Sequence, residues 1–173
     1  MEQRKESESD FRIRAAEPAE YEVLGEITAR AYLDDGLLDF GAGDPYLKTL
    51  RDVAGRAEGS EVLVAVDRAG AVLGGVAYVG AGSAWADLAG DGEAEFRMLA
   101  VAPGGRGRGV GGALVRACVE RARADGCVRV RLSTQKAMLS AHRIYERLGF
   151  VRTPERDWAP YTELVLLTYC LEI

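Results

Sequence analysis

The stretch Val101-Ala-Pro-Gly-Gly-Arg-Gly-Arg-Gly-Val-Gly-Gly112 decides the fold, because it joins a strand-like apolar run to an amphipathic helical one. Between Gly104 and Gly112 it holds six of the chain's 21 glycines. Glycine lacks a Cβ, so the backbone N–H groups here can approach a ligand, and the start of a helix attracts an anion. The pattern predicts a strand, a loop and a helix that together bind a phosphate or pyrophosphate. A flexible surface loop is the alternative, and the interleaved Arg106 and Arg108 argue against it.

Two well-known phosphate motifs fit this stretch poorly. It has no lysine followed by serine or threonine, which a P-loop for ATP or GTP requires. The dinucleotide pattern GxGxxG is present as Gly107, Gly109 and Gly112, but the next strand ends in Leu132-Ser-Thr-Gln135, with no carboxylate to bind a ribose. A nucleotide-dependent oxidoreductase therefore stays open as a third hypothesis only.

A third phosphate pattern fits the stretch. Arg106-x-x-Gly109-x-Gly111 follows a strand that ends in Val101-Ala-Pro103. In this the chain resembles the GNAT N-acetyltransferase superfamily, whose loop for the acetyl-CoA pyrophosphate has this form. The resemblance extends to Ala141-x-x-Ile-Tyr-Glu-Arg-Leu-Gly-Phe150 and covers residues 11–171. The two motifs together are more specific than either one alone.

The order of the sequence patterns predicts an α/β fold with one domain over residues 11–173, after a disordered tail over residues 1–10. The resemblance implies a GNAT-like mixed, mostly antiparallel central sheet of about seven strands, flanked by about four helices. The segment Thr153–Tyr161 is predicted to be a loop. The predicted strands are Phe11–Ala15, Glu61–Asp67, Ala71–Val79, Glu93–Ala102, Val128–Leu132, Phe150–Arg152 and Glu163–Leu171, and the predicted helices are Glu17–Tyr32, Asp44–Ala57, Gly109–Asp125 and Ala137–Leu148.

Charge and hydropathy exclude several kinds of partner. The 173 residues carry a formal net charge of −5, which predicts no binding to nucleic acid or to an anionic membrane surface. The most continuous apolar stretch, Ala71 to Gly82, is far shorter than the roughly 20 residues that span a bilayer. Residues 1–10 also lack the apolar core of a signal peptide. We therefore expect a soluble, cytoplasmic protein.

Cysteine and histidine are too few and too scattered for a metal site or a Ser-His-Asp triad. Cys118, Cys127 and Cys170 form no CxxC pattern, and His142 is the single histidine. We predict no bound metal, no disulfide framework and a reducing compartment. His142 is expected on a solvated helix face.

The resemblance implies that acetyl-CoA is a co-substrate and assigns residues to its binding. Backbone groups of Leu99, Ala100 and Val101 would pair with the pantetheine arm. The alternative is an ordinary core strand, and both interpretations can be true at once. One departure is Met138, since many relatives have an asparagine at this position that contacts the cofactor. The implied pyrophosphate residues are Arg106, Gly107, Arg108, Gly109, Val110, Gly111 and Gly112.

The resemblance also implies the catalytic groups. Tyr145 would protonate the departing thiolate as a general acid, whereas without the family it would be interpreted as a core aromatic residue. Glu95 is the preferred general base for the attacking amine, and strand alternation predicts that its side chain lies on the same face as Arg97, Leu99 and Val101. The alternative is that Glu95 pairs with Arg97 or begins an exposed edge. Glu93 is the reserve candidate.

The leading hypothesis is an N-acetyltransferase that moves an acetyl group from acetyl-CoA to a primary amine by direct transfer in a ternary complex. The alternative is a non-catalytic acyl-CoA-binding regulatory module. The acceptor stays open between a small molecule and a peptide, and a homodimer stays open as well. Trp85 and Trp158 are expected to flank the pocket or cap the core. An acidic N-terminal region would favour a cationic amine, unless it is simply a solvated helix face; it comprises Glu17, Glu20, Glu22, Glu26, Asp34, Asp35, Asp39 and Asp44.

Overall fold

The structure is a computed structural model that describes residues 10–173. The predicted disordered tail over residues 1–10 therefore lies, except for Asp10, outside the described residues. No helix between residues 10 and 173 has the length and hydropathy needed to span a bilayer. The elements in chain order are β1 (Phe11–Ala15), α1 (Tyr21–Asp34), α2 (Tyr46–Arg51), α3 (Val53–Ala57), β2 (Glu61–Asp67), β3 (Val72–Val79), β4 (Glu93–Val101), α4 (Val110–Ala124), β5 (Arg129–Thr134), α5 (Leu139–Arg147), β6 (Val151–Arg152), β7 (Trp158–Tyr161) and β8 (Leu164–Glu172).

These strands form one mixed sheet in the order β1-β2-β3-β4-β5-β8-β6, with β7 paired to β8 beside this path. All neighbours are antiparallel except β4 and β5, which are parallel. The predicted fold class is confirmed, as are the hairpin of β2 and β3 and the helix α4. Gly126, with a φ of +75°, follows the end of α4 and prevents its continuation.

Two of the predicted elements are wrong. The predicted loop Thr153–Tyr161 ends in a strand, β7, which takes its hydrogen bonds from β8 despite Pro160. The predicted single helix Asp44–Ala57 is two helices, because Asp52 leaves helical geometry at a ψ of +68° and its carboxylate accepts the amide of Gly55, which begins α3 afresh.

Each face of the sheet has its own apolar core. On one face α4 buries Val110, Leu114, Cys118 and Ala122, spaced to lie on one side of the helix, against β2 to β5. On the other face α1, α2 and α3 cover β2 to β4 through two smaller clusters, one around Val64 and one around Leu50. We call these the α4 face and the α1 face. The strand β4 therefore has a buried environment on both sides.

The strands β4 and β5 pair only at their first residues. The parallel register joins residues 93–95 of β4 to residues 129–131 of β5, and beyond Glu95 the two strands have no further pairing. β5 continues to pair with β8 as far as Thr134. The second half of β4 consequently presents an open backbone edge to the gap between the strands.

A β-bulge at Met98 changes which face the following side chains occupy. Arg97 pairs with Ala77 and Ala100 with Gly75, so two residues of β4 lie opposite one residue of β3. Met98 has a φ of +56°, the one positive value among the described non-glycine residues.

The bulge makes the predicted alternation wrong. Leu99 and Val101 pack with Phe96 on the α4 face, whereas Met98 packs with Leu50 on the α1 face. Glu95 and Arg97 therefore do not share a face with Leu99 and Val101, because the bulge inserts one extra residue between them.

Replacing Met98 by glycine should leave a more stable protein than replacing it by alanine. Both variants lose the same side-chain packing, but only alanine keeps the penalty of a left-handed backbone, which is about 1 kcal/mol or more. The free energy of unfolding in urea measures the difference. Ala100, in ordinary strand geometry, is the control, and its replacement by glycine should destabilise. A Met98→Ala protein that is more stable than the Met98→Gly protein would show that the left-handed backbone at this position is not strained.

Candidate active site

A cavity of about 600 Å³ opens where β4 leaves β5. Its walls are the second half of β4, the glycine-rich loop of residues 104–109, the first turn of α4, and α5 with the turn before it; Tyr32 and Leu37 close it from the α1 side. It brings together all the residues predicted to bind the cofactor except Arg108, whose Nη1 donates to the carbonyl oxygen of Gly104 at 3.3 Å. The predicted cofactor residues that line it are Leu99, Ala100, Val101, Arg106, Gly107, Gly109, Val110, Gly111 and Gly112.

The glycine-rich loop presents a row of unused backbone donors to this cavity. Gly107 and Gly109 have φ values of +73° and +78°, which side chains rarely adopt. The amides from Gly107 to Gly112 find no hydrogen-bond acceptor within residues 10–173. They lie at the N-terminus of α4, a helix of 15 residues, where the helix dipole favours negative charge. The side chains of Arg106, Arg116 and Arg147 also line the cavity and add positive charge.

Tyr145 lies on α5, next to the cavity wall. Its ring packs against Phe96, Phe150 and Tyr169, with centroids 5.8 to 6.0 Å apart, and the residue is 4% exposed. Its hydroxyl has no hydrogen-bond partner among the described residues. Every fully buried side-chain oxygen of these residues does have a partner, so the Tyr145 hydroxyl cannot be fully buried and reaches accessible space. Burial raises the pKa of this hydroxyl and keeps it protonated at neutral pH. Tyr145 is thus a core aromatic residue with an available proton donor.

Glu95 is buried on the α1 face and holds a loop. Its Oε1 accepts the amides of Leu88 (2.9 Å) and Ala89 (3.1 Å), and the residue is 2% exposed. Burial raises the pKa of its carboxyl group, although these two hydrogen bonds oppose the rise. Glu95 forms no ion pair with Arg97, which instead lies 3.3 Å from the carboxylate of Asp87.

Glu93, the reserve candidate, is tied into ion pairs. Its Oε2 lies 2.9 Å from both Arg129 and Arg131, and its Oε1 accepts the amide of Gly90. Burial opposes the effect, but these hydrogen bonds lower the pKa of the Glu93 carboxyl below its usual value. A carboxylate held in this way is a poor proton acceptor.

A family model described as "Acetyltransferase (GNAT) family" matches residues 24–150, most of the chain. The chain belongs to the GNAT acetyltransferase family. Acyl transfer is therefore its class of activity, and it is an N-acetyltransferase by family. No curated protein sequence matches it.

Solved GNAT structures share the whole fold. A GNAT acetyltransferase from Staphylococcus aureus Mu50 is 14% identical, with a TM-score of 0.72 over 94% of this chain and 98% of that one. The yncA protein of Salmonella typhimurium, solved with its cofactor acetyl-CoA, is 23% identical, with a TM-score of 0.67 over 94% of each chain. A phosphinothricin acetyltransferase from Sinorhizobium meliloti, in complex with acetyl-CoA, is 23% identical, with a TM-score of 0.69 over 95% and 89%.

On the α1 face, this GNAT chain assembles polar residues that sequence reasoning missed. The rings of Tyr32 and Tyr46 meet edge to face at 6.1 Å, with Arg56 and Arg97 close enough to influence both hydroxyls. Nothing in the sequence marks Arg56, because its burial depends on α2 and α3 packing together. The described residues contain no group of three or more His, Cys, Asp or Glu side chains that could hold a metal.

The acidic N-terminal region is mostly solvated, as the alternative interpretation held. Glu20 pairs with Arg14, and Glu26 pairs with Arg51. Most of the remaining carboxylates are exposed, and Asp35 alone of the predicted set lines the cavity. The tryptophans have structural contacts: Trp158 donates to the hydroxyl of Ser133, and the backbone carbonyl of Trp85 accepts from Arg97.

Proposed function

We propose that the chain transfers the acetyl group of acetyl-CoA to the primary amine of a small molecule or peptide, directly and within a ternary complex. One observation carries the proposal: a single cavity combines the open edge of β4 with the unused amides of the glycine-rich loop, and α5, the helix that carries Tyr145, forms another of its walls. A long cofactor with an extended amide arm and a pyrophosphate needs these features side by side.

The residues present fit acetyl-CoA. The pantetheine arm would add to the open edge of β4 at Leu99, Ala100 and Val101, and the pyrophosphate would accept hydrogen bonds from the amides of residues 107–112. Arg106 and Arg116 would add charge without using up those amides. Met138 lines the same cavity, and its sulfur accepts the hydroxyl of Thr134 at 3.4 Å. Met138 would thus offer apolar contact where an amide side chain is usual in relatives.

In the proposed reaction the amine nitrogen attacks the thioester carbonyl, a C–N bond forms and the C–S bond breaks. Glu95 accepts the proton of the ammonium group, directly or through a water, so that a neutral amine attacks. Tyr145 gives its proton to the departing thiolate and recovers one from the nitrogen of the new amide. The raised pKa of the Glu95 carboxyl group suits its role, because it makes this group a stronger base than usual, and the protonated Tyr145 hydroxyl carries the proton that the thiolate takes up.

Direct transfer is favoured over a cysteine-bound intermediate. Cys118, Cys127 and Cys170 are all buried, and burial raises the pKa of each thiol. A buried neutral thiol is a weak nucleophile. We also propose a cytoplasmic location, because three free cysteines are typical of a reducing compartment.

A screen for CoA release tests the function. The protein is incubated with acetyl-CoA and a broad panel of amines and peptides, and acetylated products are identified by mass. Release with at least one acceptor is expected. Calorimetric binding of acetyl-CoA without any product would favour the non-catalytic acyl-CoA-binding module, and binding of NAD(H) in place of acetyl-CoA would favour the oxidoreductase.

Gly109→Ala should weaken acetyl-CoA binding by about tenfold or more, because a left-handed position disfavours alanine by about 1–2 kcal/mol and the strain disturbs the row of amides. Gly70→Ala is the matched control, since Gly70 also has a positive φ, +84°, and open space around it, but lies in the turn between β2 and β3. Calorimetry with acetyl-CoA should separate the two variants. Equal acetyl-CoA affinities of the two variants would contradict pyrophosphate binding by the amides of the glycine-rich loop.

Tyr145→Phe should lower kcat by about 10²–10⁴ with little change in the dissociation constant of acetyl-CoA, because the hydroxyl is used in the chemical step alone. The fold should tolerate the change, since no described residue bonds to this hydroxyl. Tyr169→Phe is the control: its ring packs beside that of Tyr145, but its hydroxyl donates to Glu146 at 3.1 Å. An unchanged kcat in Tyr145→Phe would remove this residue from the mechanism.

Glu95→Gln should abolish the acidic limb of the pH–rate profile. The unprotonated carboxylate is the active form, so activity falls as pH drops through the pKa, and burial places that limb above the usual range of a glutamate. Glutamine keeps an oxygen that can accept the amides of Leu88 and Ala89, which preserves the loop. Glu93→Gln should retain the limb. A profile that keeps its acidic limb without Glu95 would refute the assignment.

A further inference from the structure

Four polar side chains on the α1 face lie close enough to interact electrostatically, and none of them has a role in the proposed acetyl transfer. They are Tyr32, Tyr46, Arg56 and Arg97, which we call the arginine–tyrosine cluster. Tyr32 lines the cavity. The cluster therefore borders the cavity through this residue.

Arg56 is a buried cation without a carboxylate partner. The residue is 2% exposed, and its Nη1 donates to the carbonyl oxygens of Thr49 (3.0 Å) and Leu50 (2.9 Å). Within residues 10–173 no carboxylate lies within ion-pair distance of it, and its other two nitrogens have no acceptor. Buried arginines are ordinarily paired, because desolvating an unpaired charge costs several kcal/mol. Burial accordingly lowers the pKa of Arg56.

Arg97 brings a second guanidinium to the same place. It donates to the carbonyl oxygen of Trp85 at 3.0 Å, lies 3.3 Å from Asp87, and keeps 28% of its side chain exposed. Burial raises the pKa of the Tyr46 hydroxyl, and the positive charges of Arg97 and Arg56 both oppose the rise. Both arginines therefore act on the same hydroxyl group.

The two tyrosines supply unused hydroxyl donors. Neither hydroxyl has a hydrogen-bond partner among the described residues. The Tyr32 hydroxyl is not a fully buried unpaired group and therefore reaches accessible space, and Tyr46 is 38% exposed. Asp87 balances one of the two guanidinium groups, and the nearby carboxylate of Asp52 already accepts the amide of Gly55. A set of two cations and two hydroxyls is suited to binding an oxyanion.

We infer that the amine acceptor carries its own oxyanion, in the simplest case the carboxylate of a free amino acid, and that Arg56 and Arg97 bind it. This rests on the proposed acetyl transfer to an amine. Guanidinium groups bind carboxylates through paired N–H donors, and the tyrosine hydroxyls add further hydrogen bonds. An acceptor held at its carboxylate on the α1 face would turn its amine towards the cavity. This acceptor differs from the cationic amine that the acidic N-terminal region suggests.

Matched acceptors test the inference. CoA release is measured for the free amino acids, for their methyl esters, and for the amines that lack the carboxyl group altogether. The expected kcat/KM is at least about 100-fold higher for a free amino acid than for its own ester or decarboxylated amine, because those leave buried donors unpaired. Equal rates across the three forms, or activity confined to peptides, would overturn the inference while leaving acetyl transfer in place. No release with any amine would instead refute the proposed function.

Arginine variants test which side chains bind the carboxylate of the acceptor. Arg97→Met and Arg56→Met should each lower kcat/KM for the preferred amino acid by about tenfold or more, with the KM for acetyl-CoA and the rate with the decarboxylated amine unchanged. Arg51→Met is the control, because Arg51 is an exposed arginine paired with Glu26. If Arg56→Met does not fold, since Arg56 also binds the end of α2, Arg97→Met and the matched acceptors decide. An equal loss with the amino acid and with the decarboxylated amine would contradict carboxylate binding.

Discussion

A backbone amide or carbonyl in a protein interior needs a hydrogen-bond partner, and β4 meets this need differently along its length. Up to Glu95 the neighbouring strand β5 supplies the partners. Beyond Glu95 that edge is open, and β3 alone holds the strand on its other side. The cavity exists because of this change, since two strands that stayed paired would leave no space between them. Leu99, Ala100 and Val101 line the cavity because they come after the point where β4 leaves β5.

The site combines two ways of holding negative charge in a chain whose net charge is −5. The glycine-rich loop uses backbone amides and a helix dipole, which need little side-chain charge. The arginine–tyrosine cluster would use two guanidinium groups, of which the buried one of Arg56 is the less screened by solvent. Net charge is a property of the whole surface, so the prediction that polyanionic partners do not bind is compatible with both of these proposed local sites.

The parts of the site that rely on backbone were predictable from sequence. Gly107 and Gly109 indicate a backbone conformation that other residues rarely adopt. The spacing of Tyr145 and Gly149 indicates where α5 lies and where it ends. The bulge was not predictable, because Met98 adopts a left-handed conformation without being glycine. β7 was also missed, since its pairing partner lies in another strand and its own sequence resembles a loop.

Tertiary contacts explain the remaining differences. Glu95 looks like the start of an exposed strand, but the loop of residues 80–92 folds over it and donates two amides. Arg56 looks like an ordinary surface residue of a helix, and only the packing of α2 beside α3 buries it. Local patterns report the backbone of one segment, whereas burial of a charge depends on segments far apart in the chain.

The reversal of faces at Met98 separates residues to which the proposed reaction gives different tasks. Leu99 and Val101, after the bulge, pack on the α4 face and line the cavity proposed for acetyl-CoA. Arg97, before the bulge, lies on the α1 face, where the acceptor carboxylate is proposed to bind. One strand would then contribute to the binding of both reactants, with side chains on opposite faces of the sheet.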